Sequence, residues 1–291
     1  MTSQFAKKLI GTFFALVLLT SCSLQTSYRF ADWLVMWEID DFVTLTSEQE
    51  EHLENYIEKT VYWHATRELP KIQADVQQMV AAIDQNTWNQ TIDDYFWQSW
   101  TRVYFPVRDK LLNTTPTLLS QLTPAQIKEL ETNLAKRLEE DKEEDYSKSE
   151  EEYRKDRIKG MKKWMGRWLG DLTSAQEKAI EVYVDRMPLT LEQYYAYAKS
   201  WQSSFIQCIQ KPKEAMNQCL TVLVTNGRET LAPAYAKIRK QKQEAWYQAR
   251  FEIMQSMTAK QKAHLIDTLT DYDEDIQDVL EMDRFQLAKS K

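Results

Sequence analysis

Three histidines, three cysteines and a few paired acids are the side chains with which this 291-residue chain could do chemistry. A zinc or di-iron site needs ligands that recur on one helix face, as in HExxH or a carboxylate three residues before a histidine. Neither spacing occurs, since Gln49, Val61 and Gln261 stand three residues before His52, His64 and His264. Glu48/His52 and His64/Glu68 do fall four apart, on one face of a helix, and read as surface contacts rather than ligands. No metal site is expected. GxSxG and Walker sequences are absent, and Cys208 and Cys219 are not a CxxC pair. Adjacent acids at Asp40-Asp41, at Asp93-Asp94 and within 271–275 point apart on a helix, so spacing alone makes no acid/base dyad of them. The first two pairs lie among aromatics, where they would cap helices or pair with a buried arginine such as Arg29 or Arg102. The expectation is a protein with no catalytic residues and no cofactor, and not an enzyme.

The remaining cysteine has a different setting. Lys7 and Lys8 precede an 11-residue apolar run at 9–19. A spanning helix needs roughly 20 such residues, whereas this length suits the core of a secretory signal. The run ends in Leu19-Thr20-Ser21-Cys22, which resembles the lipobox of bacterial lipoprotein precursors. That resemblance implies cleavage after Ser21 and lipid attached to the Cys22 thiol. A thiolate is the natural nucleophile for a thioether, and several acyl chains at roughly 0.8 kcal/mol per buried methylene anchor a protein stably. Residues 1–21 are therefore expected to be a signal peptide and 22–291 a periplasmic helical domain, with a sub-boundary near 115–123. Ser23 stands where an Asp tends to retain Gram-negative lipoproteins in the inner membrane, so the expected location is the periplasmic face of the outer membrane.

Composition agrees with long helices. Glycine (5) and proline (7) are scarce, which argues against a turn-rich β fold. Ten tryptophans and 14 tyrosines supply apolar surface for a core. The formal charge is −7, and loss of residues 1–21 removes two lysines and leaves −9. That balance disfavours a nucleic-acid partner, which would need a basic footprint. In an oxidising compartment Cys208 and Cys219 are expected to form a disulfide across the Lys211-Pro212-Lys213 corner, worth about 2–3 kcal/mol.

One short motif recurs four times. Leu45-Thr46-Ser47-Glu48-Gln49 is echoed by Leu122-Thr123-Pro124-Ala125-Gln126, by Leu172-Thr173-Ser174-Ala175-Gln176 and by Met257-Thr258-Ala259-Lys260-Gln261. Each is a capping box: the threonine hydroxyl accepts from the amide three residues on, and the glutamine reaches back to the threonine amide. Four helix starts follow, near 47, 124, 174 and 259. The intervals of 77, 50 and 85 residues exclude a solenoid of fixed period.

Breakers and caps place the other helices. Residues 47–68 run to Leu69-Pro70, and 71–84 are amphipathic. Asn86 caps 87–105, with Pro106 ending or kinking that helix, and Thr115-Pro116 opens a short one. Residues 124–168 read as one long helix of about 67 Å, which Gly160 and Gly166 would bend and Gly170 would cap. Thr190 starts 191–209, and 213–224 precedes a turn at Asn226-Gly227. A charged helix covers 229–256, and two short helices at 259–270 and 272–287 finish the chain. The fold class is all-α: an extended multi-helix bundle with one long charged helix. Within that helix 139–152 carry net −7 and 153–168 net +6. A helix polar all round is a solvated connecting arm, or else a dipolar docking surface whose basic, tryptophan-rich end could touch anionic lipid.

The stretch from Tyr28 to Phe42 (YRFADWLVMWEIDDF), followed by Leu45-Thr46 and Gln49, resembles the start of a family of uncharacterised helical proteobacterial lipoproteins. The repeated LTxxQ is similar to the motif of Spy-type periplasmic chaperones and of helical lipase-specific foldases, although the RxxFDY signature of the foldases is missing. The resemblance implies a helical, membrane-anchored body and supplies no activity. The expected role is a non-enzymatic scaffold or binding protein tied to the membrane through Cys22 and engaging an envelope protein; the alternative is a chaperone holding unfolded clients.

Overall fold

A computed structural model describes residues 23–286. The signal segment and Cys22, the expected lipidation site, lie outside the described residues. Helices make up the described chain, as the composition demands: α1 Ser23–Arg29, α2 Ala31–Asp40, α3 Ser47–Trp63, a π turn at His64–Glu68, α4 Leu69–Asp84, α5 Gln90–Leu119, α6 Pro124–Tyr146, α7 Glu150–Leu169, α8 Ser174–Arg186, α9 Leu191–Ile209, α10 Lys213–Leu231, α11 Pro233–Gln255, α12 Ala259–Leu280 and α13 Asp283–Gln286. None of the described helices is long and apolar enough to cross a membrane.

The buried side chains fall into three clusters. One joins α2, α5, α6, α9 and α10 around Leu130, Ile206, Met216 and Leu220. A second joins α4, α7, α8, α11 and α12 around Met165, Ile180, Ile253 and Leu265. The third ties α1 and α13 to the π turn and the end of α12 through Ala65, Leu69, Val279 and Phe285. Cys208 at the end of α9 is joined to Cys219 in α10 by a disulfide with Cα atoms 5.4 Å apart, closing the predicted corner.

The single long helix at 124–168 is not present: α6 stops at Tyr146 and α7 starts at Glu150. Ser149 caps α7 with the same reciprocal geometry as the threonine motifs, its hydroxyl accepting from the Glu152 amide while the Glu152 carboxylate accepts from the Ser149 amide. The cap satisfies free amides at a new start, and the break lets α6 and α7 serve different cores.

Elsewhere packing overrode local breakers. Helix α5 continues through Pro106 and Pro116, because Leu112 and Leu119 bury against the first core and tertiary contact supplies most helix stability. Its cap is Asn89, whose side chain accepts from the Ile92 amide, while Asn86 takes the left-handed turn at φ 53°. The Asn226-Gly227 turn is likewise helical. Gly227 is buried, and a Cβ there would lie 3.3 Å from Trp201 of α9, so glycine lets the two helices approach. Residues 259–280 form one helix rather than two, held by the buried stripe Leu265, Leu269, Ile276 and Val279.

The π turn has a local cause. Pro70 has no N–H, and its ring would press on the carbonyl four residues back in a regular helix. The Leu69 amide instead bonds to His64 O, five back, which opens the turn. His64 is thereby turned inward to Tyr28, Nδ1 lying 2.5 Å from the phenol oxygen, while buried Glu68 pairs with Lys71. Burial holds the His64 imidazole below its ordinary value, with Glu68 opposing. The unfolded chain therefore binds this proton at higher pH than the folded one, and stability is lost as pH falls below about 6.5. Urea melts should show a midpoint that climbs with pH up to that value, and His64→Gln should flatten the climb. Parallel slopes in both proteins would rule this out.

Candidate functional site

All four predicted capping boxes form, at Thr46/Gln49, Thr123/Gln126, Thr173/Gln176 and Thr258/Gln261. Their glutamines then do something that spacing did not show: they pair across the fold. Gln49 and Gln126 exchange amide hydrogen bonds of 3.1 and 2.6 Å, and Gln176 and Gln261 exchange bonds of 3.1 and 2.8 Å. Each pair also reaches the partner's approach segment. Gln49 donates to Gln121 O and Gln126 to Thr44 O, each five residues before the opposite glutamine. In the second pair Gln261 donates to Asp171 O and Gln176 to Ser256 Oγ, again five before. Two local caps thus become one two-sided joint, twice.

The acid pairs resolve separately. Asp93 is fully buried and takes Arg250 of α11 in a bidentate ion pair, with the guanidinium 4.6 Å from the Trp97 ring centroid. The expected partners Arg29 and Arg102 are not used: Arg102 bonds to Asp75 at 2.9 Å. His52 meets Gln121, His264 meets Arg167 O and His64 meets Tyr28. Among the described residues no three of His, Cys, Asp and Glu come together as a metal-holding set.

What remains is a cleft of about 810 Å3 between α5, α7, α8, the 187–190 loop and α11. On α11, Tyr235, Arg239, Lys242 and Trp246 recur at 4, 3 and 4 residues and so share one face. Opposite them α7 contributes Arg154, Arg157 and Trp164. The rings make a continuous wall: Tyr183 packs 5.2 Å from Trp246, which meets Trp164 edge-on at 6.4 Å. Tyr183 donates to Lys242 O at 3.2 Å, which fixes it between the basic helices.

The charge on this wall is one-sided. Arg154 is committed to structure, pairing with Glu150 and donating to Val184 O and Met187 O. Among the described residues Lys242 reaches Pro188 O and Thr190 Oγ1, at 3.2 and 3.4 Å. Thr190, expected to cap α9, makes no capping bond. Among the described residues Arg157, Arg239 and Lys242 have no carboxylate partner. Burial, then Arg157, Arg239 and Arg154, push the Lys242 ammonium below the usual lysine range. The lining carboxylate, Asp145, accepts from Tyr195 at 2.7 Å. Converging cations in a half-buried aromatic slot can hold an anionic group.

Sequence reading found one side of this slot. The basic, tryptophan-rich half of the predicted arm supplies Arg157 and Trp164, while Met161, Met165 and Trp168 pack into the core. Arg239 and Lys242 were missed inside a helix noted only as charged. Their signal was available: two cations on one stripe with Tyr235 and Trp246.

The comparisons with known proteins bear on family alone. No curated protein and no solved structure matches the chain. Residues 41–236, about two thirds of the chain, match the family described as a family of unknown function (DUF6279), and the chain belongs to that family.

Proposed function

We propose that this chain is a lipid-anchored, non-enzymatic binding protein on the periplasmic face of the outer membrane, and that its cleft receives an acidic segment of an envelope protein. The observation that carries the proposal is the group Arg157, Arg239 and Lys242, left without carboxylates in a chain of net charge −7. Arg157 and Arg239 are exposed at the rim and Lys242 is partly buried between them and Arg154, so an anionic group entering the cleft would meet all three and offset the repulsion felt by Lys242. Guanidinium groups take carboxylates in two-pronged, directional pairs. The surrounding Tyr183, Trp164 and Trp246 add rigid apolar contact area of the kind that anchors protein interfaces. The lipid expected on Cys22 would hold this surface beside its partners.

A photo-crosslinking amino acid at Gln243, which lines the cleft, tests this in intact cells. A discrete envelope-protein adduct is expected. Arg157→Glu with Arg239→Glu should reduce it by about tenfold or more, since charge-assisted bonds contribute about 1.5–3 kcal/mol each. An adduct of undiminished yield in the double variant would reject the assignment. The exposed aromatics Trp33, Tyr104 and Phe105 favour a second reading, a chaperone that holds unfolded clients. Many unrelated adducts, together with suppressed aggregation of a model client, would select it.

A further inference from the structure

A second cavity, of about 550 Å3, lies away from the basic cleft, between α2, α3, α5, α6 and α9. Its walls are aliphatic and aromatic, with Ile39, Leu53, Ile57, Leu118, Leu130 and Phe205 from the five helices. Among the described residues no charged side chain lines it. Protein interiors are normally packed to the density of organic crystals, and voids much larger than a water are few. An apolar space of this size is the form of a ligand pocket.

Two buried hydroxyls on lining residues are unexplained. The hydroxyls of Tyr56 and Thr60 are out of solvent and have no hydrogen-bond partner among the described residues. They stand one turn apart on α3, on the same side of the helix. A buried hydroxyl without a partner is destabilising. A water bridging the two hydroxyls would have the minimum of two polar partners, and the lining glutamines are engaged, Gln49 with Gln126 and Gln121 with His52. Two donors set among hydrocarbon suit a carbonyl oxygen, which can accept two bonds. A charged head group would find no counter-charge here.

The mouth indicates where such a molecule comes from. Val35 of α2 and Leu111 of α5 line the cavity yet remain about 40% exposed, at 41% and 40%. Phe30 and Trp33, just upstream of Val35, are also exposed. Phe30, Trp33 and Val35 follow within 13 residues of Cys22, on the segment that a lipid anchor would bring nearest the bilayer.

We propose that this cavity takes one fatty-acyl ester chain, its hydrocarbon against the leucines and isoleucines and its ester carbonyl accepting from Tyr56 and Thr60. The site is independent of the basic cleft. The same chemistry has two sources, a membrane phospholipid or an ester-linked acyl chain on the chain's own Cys22.

The test uses the full, mature protein in vesicles of phosphatidylethanolamine and phosphatidylglycerol. A parallel culture is fed a diazirine-bearing fatty acid, so that both phospholipid and lipoprotein acyl groups carry the label. After irradiation, adducts are expected on peptides covering 53–61 and 111–122. Phospholipid mass on those peptides identifies the membrane source, and a link to the Cys22 peptide identifies the chain's own lipid. Ile57→Trp, which fills the cavity, should lower labelling about tenfold. Tyr56→Phe with Thr60→Val keeps the shape, removes both donors and should lower it several-fold with the helical spectrum unchanged. Label spread evenly over the helices, or yields equal to wild type in the folded double variant, would overturn the proposal.

Discussion

Asp93→Ala should destabilise the protein by about 3–5 kcal/mol, the range for removing one member of a buried ion pair, and lower the melting temperature on the order of 10 °C. Asp93 has no exposed surface and Arg250 is 7% exposed. The substitution leaves a guanidinium fixed between Trp97 and Tyr247 with no counter-charge. Its Nε already lacks a partner, so no second acceptor stands ready. Burial pushes the Asp93 carboxyl above its usual range and Arg250 opposes this, which fits a pair whose two members depend on each other. The double change Asp93→Leu with Arg250→Met should recover much of the loss, because it removes both charges together. Thermal melts of the two singles and the double close the cycle. A single-variant loss under about 1 kcal/mol would mean that water or another group reaches the arginine.

Gln176→Ala should rank next, with a loss of about 2–4 kcal/mol from a broken capping box and an orphaned partner amide. Gln176 is 1% exposed and Gln261 2%, so solvent cannot replace the missing bonds. Gln49→Ala should be milder, since its side chain sits at a partly exposed joint. Chemical denaturation of the two variants gives the order directly. A Gln49 loss equal to or larger than that of Gln176 would show that the amide exchange does not govern the effect.

These two cases also mark how far the residues alone could be read. Thr173 and Gln176 were legible as a helix start because the cap is local, three residues wide. That Gln176 would meet Gln261 was not, because they stand 85 positions apart and no local pattern encodes the meeting. Asp93 was noted as an acid among aromatics, but its partner lies 157 positions on and was sought at Arg29 and Arg102. Ser149 and Glu152 form the same kind of box as the threonine motifs, yet they sit in a run of acids where one functional glutamate does not stand out. The prolines at 106 and 116 misled in the other direction: they report a local preference that burial of Leu112 and Leu119 outweighed. The cleft follows the same rule. Arg157 and Arg239 are 82 positions apart, and folding alone brings them to one cleft.

The two glutamine joints carry no formal charge, and an amide neither gains nor loses a proton in any ordinary medium. Exposed pairs such as Lys260–Asp171 slacken in brine or acid. The joints are blind to both, so the two cores keep their registration while the electrostatics of the outer surface change around them.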